Sequence, residues 1–449
     1  MSSLHTGEII ATGQELLHGW SVGGMRRLLC AVAALALTAA DRASSTSSTG
    51  PSTVLTILID DLGFFDTQVR NNTASPTPNL GALAKGGLVL SRHYTYMYCS
   101  PTRRSFLSGR FPVHISEGQA DACSNYLPLN FTLLSAKLQG AGFVSHFVGK
   151  GHLGYQTTDH LPIHRGFATH VGYLAAWESY EFGNNMGCGR NSQNNTCLQK
   201  DFWHDHQPGQ DVVDEINYST NYYTNRAVAL IHNSSSSSPL WVHLAYQAVH
   251  GPYTNPPAWN LTDSSAFCGG ICQGCHPGNG GCVPKGPKCD ASACHVFGDM
   301  LTVVDSGVGN VTQSLHDSGR YDDALILVSS DNGGVGPGNN FPLRGHKMQP
   351  WEGGTRTAAF LTGGFLPAHL RGTDCESFIH IAVRSLSTFH SPRSPLPGYV
   401  APGLSSDLPA CWVCDSYRTG TQPCRCWWAL IRRTPLASSM TSTASTRGP

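Results

Sequence analysis

Several apolar runs in this chain are continuous rather than alternating. Val54-Leu55-Thr56-Ile57-Leu58-Ile59 is one, and Leu240 to Tyr246 and Ala324 to Ser329 are two more. Unbroken aliphatic and β-branched runs of this length predict strands covered on both faces, as in parallel sheets. Shorter strands are predicted at Leu88 to Leu90 and Phe143 to Val148. Other segments carry helical spacing. Thr77 to Gly87 has Pro78 in its first turn and glycines at its end, which are start and stop signals. Asn130 to Gly140 places Leu133, Leu134 and Leu138 on one face, and Gly298 to Leu315 does the same with Val303, Val304, Val308 and Val311. Tyr218 to His232 reads as a further helix. Strand, helix and strand in repetition predict an α/β fold, with a large and mostly parallel sheet flanked by helices.

Polar groups gather where these strands end. The first runs into Asp60-Asp61-Leu62-Gly63, and the run at Ala324 into Ser330-Asp331-Asn332-Gly333-Gly334. Ligands in α/β folds bind at the carboxyl ends of strands. Adjacent carboxylates repel unless a cation sits between them; the other reading is a solvated turn. The strand at Phe143 leads to Gly149-Lys150-Gly151-His152-Leu153-Gly154, and the one at Leu240 to Gln247-Ala248-Val249-His250-Gly251-Pro252. His243, inside its strand, reads as structural. A further polar stretch, Cys99-Ser100-Pro101-Thr102-Arg103-Arg104, precedes Ser105-Phe106-Leu107-Ser108-Gly109-Arg110. Pro101 suits a first helical turn, which puts Cys99 just before a helix N-terminus. Unpaired N–H groups and the helix dipole favour an anion there, and Arg103 and Arg104 add fixed positive charge. An oxyanion site beside Cys99 and an ordinary helix cap both fit.

The stretch Cys-x-Pro-x-Arg with a following Leu-Ser-Gly-Arg resembles the signature of type I sulfatases, in particular the arylsulfatase B-like branch. Gly-Lys-x-His-Leu-Gly at 149–154, Gln-Ala-x-His-x-Pro at 247–252 and the segment Gly345-His346-Lys347 to Trp351-Glu352-Gly353-Gly354-Thr355-Arg356 resemble further family motifs. The resemblance implies an alkaline-phosphatase-like fold and a sulfuric ester hydrolase. It implies that Cys99 is oxidised to Cα-formylglycine by the formylglycine-generating enzyme, so that an aldehyde hydrate meets the sulfate ester. By the same resemblance Asp60, Asp61, Asp331 and Asn332, with the modified Cys99, hold one Ca2+. Arg103, Lys150, His152, His250 and Lys347 then surround the sulfate. Gly151 stands where the family shows Trp. The runner-up readings are a phosphomonoesterase or phosphodiesterase of the same superfamily and a non-catalytic, secreted glycan-binding homologue. The sulfated substrate is open, with N-acetylgalactosamine 4-sulfate in a glycosaminoglycan and aryl sulfates as candidates.

Length and composition set the frame. The 449 residues suffice for a large core, charged residues are only 13%, and the formal net charge is zero. That balance gives no footprint for nucleic acid. Met25-Arg26-Arg27 and the apolar run Leu28 to Ala40 predict a signal peptide at 25–43, with residues 1–24 as a gene-model extension. The run is too short to span a bilayer. Sixteen cysteines and the acceptor sites at Asn71, Asn130, Asn194, Asn217, Asn233, Asn260 and Asn310 predict passage through the secretory pathway, to a lysosome or outside the cell. Residues 44–53 read as a linker and 54–383 as the catalytic domain. Within the latter, 267–295 is a Cys-rich insertion whose Cys268, Cys272, Cys275, Cys282, Cys289 and Cys294 suit disulfides or, through Cys272-x-x-Cys275, zinc. Cys188 and Cys197 suit a disulfide. Residues 384–449 have no strand or helix period and read as a disordered or frameshifted tail, in place of the small C-terminal antiparallel domain that the resemblance implies.

Overall fold

In the computed structural model the described residues are 50–120, 125–181, 201–209, 217–257 and 291–382. The expectations for the signal peptide, for most of the linker and the Cys-rich insertion, for Cys188 and Cys197, for Asn194 and Asn260, and for the tail fall outside them.

Among the described residues there are twelve strands: β1 Thr53–Ile59, β2 Leu88–Leu90, β3 His93–Tyr94, β4 Val144–Lys150, β5 Thr169–Tyr173, β6 Trp203–His204, β7 Gln207–Pro208, β8 Leu240–Tyr246, β9 Ala324–Ser330, β10 Ala359–Thr362, β11 Thr373–Cys375 and β12 Ile379–His380. The helices are α1 Pro78–Lys85, α2 Cys99–Ser108, α3 Leu134–Gly140, α4 Ser219–Asn233, α5 Ala291–Asp317 and α6 Glu352–Thr355. Ten strands form one sheet in the order β11-β2-β10-β9-β1-β8-β4-β5-β6-β7, while β12 pairs with β3 apart from it. The run from β9 through β1, β8 and β4 to β5 is parallel throughout. Toward the edges the sheet turns antiparallel, at β10 on one side and at β6 and β7 on the other. The sheet is thus mixed, with the predicted parallel character confined to the long central strands and the β11–β2 pair.

The continuous apolar runs are two-faced, as their composition requires. Leu55, Ile57 and Ile59 of β1 join Leu80 of α1, Tyr223 and Ile231 of α4 and Val304 and Val308 of α5 in one core layer. Val54 and Leu58 join Phe106 and Leu107 of α2, Leu134 and Leu138 of α3, and Trp241 of β8 in the other. Each buried aliphatic side chain contributes about 1.5–3 kcal/mol relative to exposure, so β1 cannot be moved by one residue without loss on both faces. Helix α5 begins well before the predicted Gly298 and tolerates internal glycines for a steric reason. A Cβ on Gly307 would lie 2.5 Å from Thr224 Oγ1 and 2.7 Å from Tyr246 Oη, so the glycine lets α5 lie close on α4 and β8. Helix α3 starts only at Leu134, because Leu133 is extended (φ −80°, ψ 159°). His243 is 2% exposed, holds Thr56 Oγ1 at 2.8 Å through Nδ1 and packs among Phe106 and Phe147, a structural histidine as read. Cys294 is disulfide-bonded. The described acceptor residues Asn71, Asn130, Asn217, Asn233 and Asn310 are all exposed. Among the described residues no helix is long and apolar enough to cross a membrane.

Candidate active site

Because β9, β1, β8 and β4 are neighbours and parallel, their carboxyl ends open on one edge. Register sets Ile59 level with Ser330 and with Tyr246. The next residues therefore meet: Asp60 and Asp61 from β1, Asp331 and Asn332 from β9, Lys150 as the last residue of β4, and His250 on the segment after β8. Helix α2 brings Cys99 and, one turn on, Arg103 to the same edge. Cys99 is the first residue of this helix, not the residue before it, and Tyr98 is the extended N-cap (φ −161°, ψ 169°). Pro101 is then the third helical residue, where its missing N–H still has no intrahelical partner to lose.

The group is buried and tightly paired. Cys99 Sγ lies 3.4 Å from Asp60 Oδ1. Arg103 meets Asp331 through Nε at 2.9 Å and through a terminal nitrogen at 2.8 Å, and that nitrogen lies 3.7 Å from Asp60. Lys150 Nζ contacts Asp60 Oδ2. Lys347 Nζ sits 2.7 Å from Asp61 Oδ1, and His250 Nε2 lies 3.6 Å from Asp61 Oδ2. Asn332 donates to Asp61 Oδ1 at 2.7 Å. Three carboxylates thus face three permanent cations. Burial alone would raise the carboxyl pKa of Asp60, but Lys150, His250 and Arg103 hold it below the usual range. Burial likewise opposes ionisation of Asp61, yet His250 and Lys347 keep it low. Burial and the neighbouring Asp60 raise Asp331. A plain thiol at Cys99 is pushed far up by burial and by Asp331 and Asp60; a protonated thiol is a poor nucleophile.

Asp61 (φ 56°) and His152 (φ 53°) occupy left-handed backbone, a conformation that costs of order 1 kcal/mol or more per non-glycine residue and clusters at functional sites. His152 is 1% exposed, and neither ring nitrogen has a hydrogen-bond partner among the described residues. Burial, with Lys150, Arg103 and Lys347 nearby, pushes its pKa far down, which favours the neutral ring. At Gly151 a Cβ would come within 3.1 Å of the Tyr173 carbonyl oxygen.

A cation fits this donor set. Ligand atoms of Asp60, Asp61, Cys99 and His250 lie within 4.8 Å of one another, and Asn332 Oδ1 is buried with no partner among the described residues. Carboxylate and amide oxygens suit a hard divalent ion. Asp331 lies beside this group with one oxygen committed to Arg103.

The structure brings every predicted site residue to this edge. Arg104, expected to add charge beside Cys99, turns away: it donates to the carbonyls of Leu153 (3.2 Å), Gly118 (3.3 Å) and Asn125. It ties α2 to the loop that follows Lys150 and carries His152. Other supports escaped sequence reasoning. Tyr180 donates to the His250 carbonyl at 2.8 Å. Asn340 Oδ1 accepts from Gly334 N–H at 2.9 Å, and its Nδ2 donates to the Gly345 carbonyl at 3.3 Å, bracing the segment before Lys347. Buried aromatic and amide residues in irregular segments carry no periodic signal that would have marked them.

A family model described as Sulfatase matches residues 52–371, and the chain belongs to the sulfatase family. It is 30% identical to arylsulfatase J of Mus musculus over 75% of this chain and 52% of that protein. It is 26% identical to N-acetylgalactosamine-6-sulfatase of Homo sapiens over 71% of this chain and 58% of that one. The chain therefore spans little more than half the length of these curated relatives. Among solved structures, that of Ps i-CgsB in complex with k-i-k-neocarrahexaose is similar in fold, with a TM-score of 0.59, 24% identity, and coverage of 76% of this chain and 73% of that one.

Proposed function

We propose that this protein hydrolyses sulfate esters at the Cys99 edge. The observation that carries the reading is the gathering of Arg103, Lys150 and Lys347 on Asp331, Asp60 and Asp61, with Cys99 Sγ 3.4 Å from Asp60. Three fixed cations stabilise the charge of a transferring sulfo group. Asp60, Asp61, Asp331 and Asn332 are the residues that hold a Ca2+, which when bound supplies a Lewis acid for a sulfate oxygen. Cα-formylglycine, made from Cys99 by the formylglycine-generating enzyme, supplies a geminal diol in place of the inert thiol. His152 accepts a proton at the Cys99 position, which the neutral ring that burial favours can do. His250 and Lys347, both beside Asp61, face the leaving alcohol and return a proton to it.

The named activities of the relatives support a sulfated glycan as substrate, with N-acetylgalactosamine sulfate as the first candidate and aryl sulfates as the second. The exposed acceptor asparagines and the disulfide at Cys294 support passage through the secretory pathway, to a lysosome or the exterior. The test is sulfate release by the purified full chain from p-nitrocatechol sulfate and from sulfated galactosaminoglycan, beside Cys99→Ala, with mass analysis of the Cys99 peptide. Sulfate release that Cys99→Ala abolishes, with an aldehyde at position 99, is the expected result. Release that survives Cys99→Ala, or none from any ester despite the aldehyde, overturns the reading.

A further inference from the structure

Most site residues are held by strand ends or by α2, but His250 is carried by an irregular segment. Its ring is 20% exposed, with Nε2 toward Asp61. Nδ1 is 2.5 Å from the Gly251 carbonyl oxygen, which makes Nδ1 the donor and leaves Nε2 as the working nitrogen. Two contacts fix this segment from outside: the Asp60 backbone, which donates to the Ala248 carbonyl at 2.9 Å and accepts from Val249 N–H at 2.8 Å, and a clamp built from residues 178–180 and the start of α4. Tyr180, fully buried, donates to the His250 carbonyl at 2.8 Å. Its ring lies on that of Tyr218 at 5.0 Å between centroids and 20° between planes, and its own carbonyl accepts from Ser219 N–H at 2.9 Å. Ser219 Oγ holds Gln247 Oε1 at 3.1 Å, while the Gln247 amide donates to the Glu178 carbonyl. Tyr218 closes the far end through the Thr254 carbonyl at 3.2 Å. The clamp thus grips the chain on both sides of His250 and at His250 itself.

We propose that Tyr180 is a positioning residue that aims His250 at the leaving group. The inference rests on the proton-donor role given above to His250. In that step His250, carrying a proton on both ring nitrogens, keeps the Nδ1 proton on the Gly251 carbonyl and gives its Nε2 proton to the ester oxygen while the S–O bond breaks and its electron pair goes to that oxygen. An aryl oxide leaves well without a proton; an alkoxide from a sugar does not. Loss of aim at His250 therefore penalises alkyl esters more than aryl esters, whereas general loosening of the fold penalises both alike.

The experiment compares kcat and KM of wild type, Tyr180→Phe, His250→Gln and the double variant on p-nitrocatechol sulfate and on a sulfated galactosamine monosaccharide. Tyr180→Phe keeps the buried ring and its stack, and melting temperatures are measured alongside. Ser219→Ala, which loosens the same segment through Gln247, is the second variant should the first fail to fold. The expected result for Tyr180→Phe is a drop in kcat of about tenfold or more on the sugar ester, since small misplacements of a catalytic group cost up to about a hundredfold. The aryl ester loses less than about threefold, KM is unchanged, and no further loss appears in the His250→Gln background. Ser219→Ala shows the same preference at smaller size. Equal loss on both esters, no loss, or additive loss in the double variant overturns the inference. If His250→Gln itself shows no preference between esters, the donor role fails first and the inference with it; if wild type releases no sulfate, the proposed function is what has failed.

Discussion

The site has two halves that are held in different ways. Asp60, Asp61, Asp331, Asn332 and Lys150 stand at or just beyond the ends of buried parallel strands, so their positions follow from sheet register. His152, His250 and Lys347 stand on irregular segments, and their positions follow from local backbone bonds, such as those of Asp60 with Ala248 and Val249, together with distant supports: Arg104, Tyr180 and Asn340. The first half also carries much of the charge pairing, while His152 makes no hydrogen bond through its ring among the described residues. Strand ends thus join stability to chemistry, whereas irregular segments separate the two.

That contrast can be broken experimentally, beginning where stability should suffer most. Asp331→Ala leaves Arg103 buried with Asp60 at 3.7 Å as its remaining carboxylate and the Lys150 carbonyl at 3.0 Å. Breaking a buried pair in this way costs about 3–5 kcal/mol, measured by urea unfolding, and sulfate release should be lost with it. A stability change under about 1 kcal/mol would show that register, not pairing, carries this half. Arg104→Met removes a donor from three backbone carbonyls; that of Leu153 keeps the Leu127 N–H at 2.9 Å, while those of Gly118 and Asn125 lose the guanidinium. Each unpaired buried oxygen costs about 1–3 kcal/mol when water cannot reach it, so a loss of about 3 kcal/mol is expected, with a drop in kcat transmitted through Leu153 to His152. Unchanged kcat in the folded variant would cut that link. Stripping divalent ions with a chelator should lower the melting temperature, and calcium in hundredfold excess over its Kd should restore about 2.7 kcal/mol; no response to calcium removes the ion from the account. His152→Gln should shift stability least, within about 1.5 kcal/mol, since no hydrogen bond is lost. Its kcat should nonetheless fall by about a hundredfold. A large stability loss here would erase the distinction between the halves.

The same contrast explains what could be read from the sequence. Val54 to Ile59 announces a two-faced strand, and carboxylates directly after it must lie at the sheet's carboxyl edge. Which strands are neighbours is non-local, yet the parallel pattern makes convergence of their ends the expected outcome. The antiparallel edges were not legible, because β6 and β7 are only two residues each and β10 four. Arg103 and Arg104 look alike in sequence, but one helical step turns them by about 100°. One therefore faces Asp331 and the other faces the Leu153 carbonyl. Tyr180 sits in a polar stretch with no period, so only the fold reveals that its hydroxyl meets His250.

Cys99 is 2% exposed and roofed by charged groups that come from as far along the chain as Lys347. No other enzyme can seize that side chain once the sheet has closed over it. Any maturation of the residue is therefore a race against folding. Parallel pairings such as β1 with β9 join ends some 270 positions apart, and such long-range closures are slow. The same topology that assembles the site thus holds open the interval in which its central atom can be rewritten.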